Sequence, residues 1–130
     1  MRDGFVKVAA ATLNTKVADV EHNKWEIFRL IDETIENGAK IVVFPELCIT
    51  GYTCGDLFSQ DILLSQSAKA LEEIAAYTTG KDGLFFVGLP YVVCNKLYNV
   101  AAAVCDGEVI GMVTKTFLPN YSEFYEMRQF

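Results

Sequence analysis

The sequence predicts a mixed α/β fold built around one sheet. Short apolar segments alternate with an amphipathic helical segment early in the chain, and later apolar segments are joined by two-residue turn signals. At 130 residues, with 52% hydrophobic and 22% charged residues, the chain is long enough to bury a core. No linker, low-complexity tract or internal repeat interrupts it, so we expect one structural unit.

The first predicted unit is a strand, a helix and a second strand. Residues 5–13 (FVKVAAATL) suit a strand that is buried on both faces. Asp19 is the predicted N-cap of the helix, in which apolar residues recur at helical spacing until a glycine. Residues 39–44 (AKIVVF) form the second strand, which Pro45 ends because proline donates no ladder hydrogen bond. The outer face of the helix is predicted to carry Glu21, Lys24, Glu33 and Glu36.

The second predicted unit is a helix followed by hairpins. Residues 62–77 resume helical spacing after an irregular loop. Three apolar segments follow, LFFVGLPYVV, KLYNVAAAVC and EVIGMVTKTF, and they are separated by Cys94-Asn95 and by Asp106-Gly107. Asp-Gly between apolar runs is a strong hairpin signal, so the sheet is predicted to gain antiparallel neighbours.

The charge and hydropathy patterns exclude several classes of partner. The net charge of −6 and the pI near 4.7 leave no basic cluster for nucleic acid, whose binding depends on Lys and Arg. The apolar run near the amino terminus is too short for a signal peptide or a membrane span. We therefore expect a cytoplasmic protein with neither a nucleic-acid nor a membrane partner.

The cysteine pattern predicts packed thiols without a metal. The four cysteines lie in or beside apolar segments, none forms C-x2-C, and the single histidine, His22, is distant in sequence. No metal site is expected. Cys48 follows Glu46 closely enough to be considered as a nucleophile, but its apolar surroundings favour a packed side chain.

Two charged residues stand at the ends of predicted strands. Glu46 directly follows the strand that Pro45 ends, and Lys115 follows the apolar segment GMVT. Taken alone, each is most simply an ion-pair partner or a snorkelling edge residue. Ligand sites gather beyond the carboxyl ends of parallel strands, so both side chains could meet in one poorly solvated pocket.

The segments around these residues resemble the nitrilase, or carbon-nitrogen hydrolase, superfamily. Its segments read strand-PE-L-x-x-x-G-Y and strand-K-x-x-L-x-P-x-x-E, which stand here as FPELCITGY and KTFLPNYSE. The continuations GYTCGDLFSQD and LPNYSEFYEMRQF narrow the resemblance to the glutaminase domains of glutamine-dependent NAD synthetases. The resemblance covers essentially the whole chain, in order.

The resemblance implies a four-layer αββα sandwich of which residues 1–130 supply about the first half. The chain would be a partial glutaminase domain that ends before the nucleophilic cysteine and lacks the synthetase domain, so this segment alone is expected to be inactive. Half a sandwich exposes apolar sheet surface, and we expect it to associate as a homo-oligomer.

The resemblance also implies residue roles. Glu46 would be the general base, Lys115 the catalytic lysine that stabilises the oxyanion, and Glu123 the carboxylate that braces this lysine. The nucleophilic cysteine has no counterpart after Lys115 and is expected downstream. The residues implied to line the substrate pocket are Tyr52, Tyr121 and Phe124.

The implied reaction is hydrolysis of the glutamine amide. The ammonia would serve the ATP-dependent amidation of deamido-NAD to NAD, with ATP and Mg bound by the absent domain and no cofactor in this segment. Two alternatives stay open: another amidase of the nitrilase superfamily, and a non-catalytic α/β interaction module in which Glu46 and Lys115 form only a structural ion pair.

Overall fold

A computed structural model of the chain describes residues 3–130. One five-stranded sheet has the order β1-β2-β3-β4-β5, in which β1, β2 and β3 are parallel and β4 and β5 are antiparallel to their neighbours. The mixed α/β class predicted from the sequence is confirmed. The elements in chain order are β1 (Val8–Ala10), α1 (Val20–Glu36), β2 (Ile41–Val43), a 3₁₀-helix (Gly55–Ser59), α2 (Asp61–Tyr77), β3 (Leu84–Val93), β4 (Lys96–Cys105), β5 (Glu108–Thr114) and a closing 3₁₀-helix (Glu126–Arg128).

The two parallel strands at the start of the sheet are shorter than their apolar runs. The runs 5–13 and 39–44 contain strands of only three residues each, although Ala11 extends the pairing with a backbone hydrogen bond of 2.9 Å to Val43. Pro45 ends β2 as predicted, because it has no N–H to donate. The two hairpins turn where predicted, at Cys94-Asn95 and Asp106-Gly107, and all four of these residues have positive φ.

Helix α1 packs against α2 through a buried lysine. The prediction that Lys24 lies on the outer face is wrong: Lys24 is 5% exposed, and its ammonium contacts Glu21 at 2.8 Å and also pairs with Glu73 of α2. Burial opposes the charged form, but the two carboxylates outweigh it, so the pKa of Lys24 is raised. The Asp19 cap is confirmed, since its carboxylate accepts the backbone N–H of His22 at 3.0 Å.

The two faces of the sheet differ in their burial. On one face the inward side chains of β3, Phe85 and Val87 among them, are 0% exposed and belong to the core that includes the helices. Alternate residues point to the opposite face. There Val43 of β2 is 48% exposed and Val113 of β5 is 71% exposed. The helices therefore cover one face, and the other, which we call the open face, presents apolar side chains to solvent.

The burial contrast predicts very different effects for two phenylalanines. Phe85→Ala should lower the free energy of unfolding by about 3–5 kcal/mol, because Phe85 is 0% exposed and a cavity remains. Phe117→Ala is the matched control: this ring is 89% exposed, and its removal should change the free energy by less than about 0.5 kcal/mol. Urea unfolding of both variants measures the difference. Equal losses would contradict the assignment of the core.

Candidate active site

Glu46 lies at the start of a strained turn. Leu47, the next residue, is fully buried and has φ +51°, a left-handed conformation that is uncommon for a leucine. The Leu47 carbonyl accepts the N–H groups of Thr50 at 3.2 Å and of Gly51 at 2.7 Å, which closes a compact turn. Such conformations persist where surrounding structure fixes them, and they cluster at functional sites. The turn reverses the chain directly after Glu46.

The backbone of Gly88 in β3 packs closely against the backbone of this turn. A Cβ atom on Gly88 would lie 2.5 Å from the Leu47 nitrogen and 2.8 Å from the Pro45 oxygen, so no larger residue fits without moving the loop. The Gly88 carbonyl also accepts the backbone N–H of Ile49 at 3.2 Å. Sequence reasoning missed this contact, because nothing in LFFVGLPYVV shows which backbone approaches the glycine.

Lys115 lies between two carboxylates. It follows the end of β5 at Thr114, and its ammonium nitrogen lies 2.8 Å from Glu46 Oε1 and 3.1 Å from Glu126 Oε1. Burial disfavours the charged ammonium, but hydrogen bonds to Glu46 and Glu126 outweigh it, so the pKa of Lys115 is raised. The structure thus brings Glu46 and Lys115 together, and it holds the lysine as a cation.

The second carboxylate that contacts Lys115, beside Glu46, is Glu126 rather than Glu123. Glu126 is 5% exposed and belongs to the closing 3₁₀-helix, whereas Glu123 is exposed. The backbone N–H of Glu126 donates to Pro119 at 3.2 Å, which folds this residue back over the lysine. Both glutamates lie within YSEFYE, and no local periodicity distinguishes them. The contact expected for Glu123 is therefore corrected to Glu126, a residue that sequence reasoning missed.

The three predicted aromatic residues lie side by side next to Glu126. Tyr52 donates its hydroxyl hydrogen to Glu126 Oε1 at 2.8 Å. The rings of Tyr52 and Phe124 have centroids 6.4 Å apart, and those of Phe124 and Tyr121 are 5.6 Å apart, both edge to face. Tyr52, Glu123 and Glu126 also help to line a depression of about 420 Å³. These three aromatic residues, which we call the aromatic wall, therefore lie beside the charged cluster of Glu46, Lys115 and Glu126.

The Tyr52 hydroxyl should resist ionisation. Burial, followed by its hydrogen bond to Glu126, raises the pKa of Tyr52 to about 12 from the ordinary 10.0. Because the pKa of Tyr52 is higher in the folded than in the unfolded chain, its neutral hydroxyl contributes to folding stability. That contribution is fully present below about pH 10 and is lost as pH rises through about 12. In a phenolate absorbance titration, subtraction of the Tyr52→Phe curve should isolate this late transition. Glu126→Gln should bring the transition to lower pH, and an unmoved transition would contradict the assigned cause.

Asn99 is a further member of the cluster that sequence reasoning missed. Its side-chain amide donates to Glu46 Oε1 at 2.6 Å, and the residue is only 4% exposed. Asn99, Glu46 and Lys115 help to line a second depression of about 320 Å³, whose lining also includes Val43 and Val113 of the open face. The polar side of this depression could orient an amide, while its apolar side faces outward from the sheet.

Cys48 and Cys54, the two buried cysteines, are unsuited to nucleophilic attack. Cys48 is 2% exposed, and burial raises the pKa of its thiol to about 12. The thiol donates to the Gly88 carbonyl at 3.6 Å, and burial also raises the pKa of Cys54. A thiolate is the reactive form, so the prediction that Cys48 is a packed side chain is confirmed.

Residues 3–130 contain neither a metal-binding cluster nor a membrane-spanning helix. In that range no group of three or more His, Cys, Asp or Glu side chains is arranged to hold a metal ion. None of the helices described there has the length and apolar character needed to cross a membrane.

The chain belongs to the carbon-nitrogen hydrolase family, whose sequence profile matches residues 7–127. The resemblance inferred from FPELCITGY and KTFLPNYSE is confirmed. Among curated relatives, the glutamine-dependent NAD(+) synthetase of Aquifex aeolicus is 43% identical over 126 residues, which are 97% of this chain and 22% of the relative. The corresponding protein of Mycobacterium tuberculosis is 36% identical over 97% of this chain and 19% of its own length.

Solved structures agree with this assignment. The crystal structure of a glutamine-dependent NAD(+) synthetase from Cytophaga hutchinsonii superposes with a TM-score of 0.91 and 36% identity, over 96% of this chain and 21% of that one. An amidase from Nesterenkonia sp. has a TM-score of 0.76 at 21% identity, which shows a shared fold, over 93% of this chain and 46% of the amidase. The chain thus spans only a fraction of these relatives.

Proposed function

We propose that this chain is part of the glutaminase of a glutamine-dependent NAD synthetase. The observation that carries the proposal is the Lys115 ammonium held 2.8 Å from Glu46 and 3.1 Å from Glu126 at the edge of a depression. A carboxylate and a fixed cation beside one space can serve as general base and oxyanion donor in the cleavage of a carboxamide, which supports the proposal. Identity of 43% to a relative named for glutamine supports glutamine as the substrate.

In the proposed mechanism Glu46 moves the proton. It accepts the proton of a cysteine thiol as the sulfur attacks the amide carbon, and the carbonyl π electrons move onto oxygen. When the tetrahedral intermediate collapses, Glu46 returns that proton to the departing nitrogen, which leaves as ammonia. Water activated by Glu46 then hydrolyses the thioester. Cys48 is buried, and the family resemblance implies a nucleophile downstream of Lys115, so we propose a cysteine outside these 130 residues.

Lys115 is proposed to stabilise the charge that develops in this sequence. A fixed ammonium interacts more strongly with the oxyanion of the intermediate than with the neutral carbonyl, and it therefore lowers the barrier. Glu126 would hold the ammonium in place, since its carboxylate is 5% exposed and lies 3.0 Å from Lys115 Nζ through Oε2. We therefore propose that Glu126, rather than Glu123, braces the lysine.

The aromatic wall is proposed to shape the glutamine pocket. Tyr52, Phe124 and Tyr121 make successive edge-to-face contacts beside Glu126. Aromatic rings there would exclude water from the reacting amide and confine the aliphatic part of the substrate.

We propose that ATP, Mg and deamido-NAD bind in a separate synthetase domain, and that further strands cover the open face to complete a four-layer sandwich. Residues 1–130 would then be inactive alone and would self-associate, while the full protein would be a homo-oligomer. A cytoplasmic site suits the four unpaired cysteines, because that compartment keeps thiols reduced.

One experiment separates the candidate functions. The complete protein encoded by the gene is assayed for ammonia release from glutamine and from aliphatic amides, and for NAD formation from deamido-NAD with ATP. Glutamine hydrolysis coupled to NAD formation is expected. Hydrolysis of aliphatic amides without NAD formation would favour another amidase, and absence of any hydrolysis would favour a non-catalytic module.

A further inference from the structure

We propose that Asn99 is a positioning residue for the Glu46 base, and that it leaves Oε2 of Glu46 as the oxygen that exchanges the proton. The inference deepens the proposed function and rests on it. The juxtaposition that carries it is one buried amide between the two charged residues: the Asn99 side chain bonds Glu46, and the Asn99 backbone bonds Lys115.

The position of Asn99 in the sheet explains this double contact. Asn99 lies on β4 opposite Pro90 of β3, and its carbonyl accepts the backbone N–H of Lys115 at 2.8 Å. This bond continues the β4–β5 pairing beyond Thr114, so Asn99 fixes where the lysine leaves the sheet. Its side chain meanwhile donates to Glu46 Oε1 at 2.6 Å. One residue therefore sets the relative placement of the two proposed catalytic groups.

The hydrogen bonds to Glu46 distinguish its two oxygens. Oε1 receives the Asn99 amide at 2.6 Å and the Lys115 ammonium at 2.8 Å, which occupies both of its lone-pair directions. Across residues 3–130 no protein donor reaches Oε2, so its lone pairs remain free for a substrate or thiol proton. A general base must lie within hydrogen-bond reach of the proton that it takes. Oε2 is therefore the oxygen positioned for this transfer.

A neutral amide suits this task better than another cation or an acid. An amide N–H favours the charged carboxylate, yet it neither titrates nor donates a competing proton at any working pH. The titratable groups around Glu46 in the described chain are Lys115, Glu126, Tyr52 and, farther out, Glu123. Substitutions of Asn99 leave these four residues in place, and Asn99→Leu adds no titratable group, so that variant measures the effect of losing the amide.

The test compares Asn99→Asp, Asn99→Leu and Asn99→Ser in the complete protein. Asn99→Asp replaces the donor with a carboxylate facing Glu46. Because like charges disfavour ionisation, the acid limb of the kcat/KM–pH profile should move to higher pH by about one unit. Asn99→Leu should move the acid limb in the same direction by a smaller amount. Asn99→Ser keeps a hydrogen-bond donor, so its acid limb should lie closer to the native position. In the first two variants kcat should fall roughly 10–100-fold with little change in KM.

Asn37→Ala is the matched control. Asn37 is an exposed asparagine at the end of α1 whose side-chain amide donates to the Glu33 carbonyl at 2.8 Å, so the pH profile of Asn37→Ala should coincide with that of the native protein. A purely structural role for Asn99 predicts lower thermal stability in Asn99→Leu with an unmoved acid limb. That result would overturn the inference, and if Asn99→Leu fails to fold, Asn99→Asp and Asn99→Ser decide it by the same limb.

The outcomes separate this inference from the proposed function. Glutamine hydrolysis with unmoved acid limbs in the Asn99 variants overturns the inference and leaves the function standing. If the native protein hydrolyses only another amide, glutamine is excluded and the same profiles, recorded on that amide, decide the role of Asn99. A native protein that hydrolyses no amide overturns both.

Discussion

Lys115→Met is expected to reduce kcat/KM for glutamine by roughly 10²–10³-fold, the usual effect of removing one donor to an oxyanion. The substitution keeps the length of the side chain but removes the cation that contacts Glu46 at 2.8 Å and Glu126 at 3.1 Å. The fall should appear in kcat, because the cation interacts with charge that develops only in the transition state. Steady-state ammonia release by the complete protein measures it.

A surface lysine provides the control for Lys115. Lys69→Met makes the same substitution on α2, where the side chain is 76% exposed, and kcat/KM should remain within about twofold of the native value. Full activity in Lys115→Met would eliminate the proposed role of the lysine.

Stability provides a second readout for Lys115. Lys115→Met strands Glu126, a carboxylate that is 5% exposed, without its cation, so the melting temperature should fall. Adding Glu126→Gln removes the stranded charge and should recover part of the loss without recovering activity. Recovery of activity together with stability would mean that Lys115 acts only through folding.

The fold was predictable because its signals are local. Asp19 caps α1 by accepting a nearby backbone N–H, and Pro45 ends β2 because it has no N–H to donate. Asp106-Gly107 supplies the positive φ values of a tight turn. Each of these is a property of a few adjacent residues. The pairing of Glu46 with Lys115 was also predictable, because each follows the end of a strand in one sheet.

The remainder of the site depends on contacts that are distant in sequence. Lys24 is buried because α2 brings Glu73 to it, and no property of the α1 sequence reveals that partner. Glu126 rather than Glu123 reaches Lys115 because the closing 3₁₀-helix orients it. Asn99 precedes a valine and a run of alanines on β4 and, in the sequence, resembles any polar residue in a strand. These residues become visible only when the elements are assembled.

Gly88→Ala is expected to damage the site more than a single added methyl group suggests. The new Cβ would meet backbone atoms of Leu47 at 2.5 Å and Pro45 at 2.8 Å, and backbone cannot move aside as the end of a side chain can. The loop must retreat from β3 and carry Glu46 with it. Misplacement of about 1 Å in such a group lowers kcat/KM about 100-fold, and overpacking should lower stability by about 1–3 kcal/mol.

Gly111→Ala distinguishes this clash from a general effect of replacing a sheet glycine. Gly111 lies on β5, has no positive φ and has nothing within 4 Å of the position that a Cβ would take, so alanine should be tolerated or slightly stabilising there. Kinetics on glutamine and urea unfolding of both variants provide the comparison. If the two alanines behave alike, the close approach at Gly88 does not position Glu46. If only Gly88→Ala loses activity, the placement of the base depends on a glycine of a neighbouring strand, through a contact between two backbones.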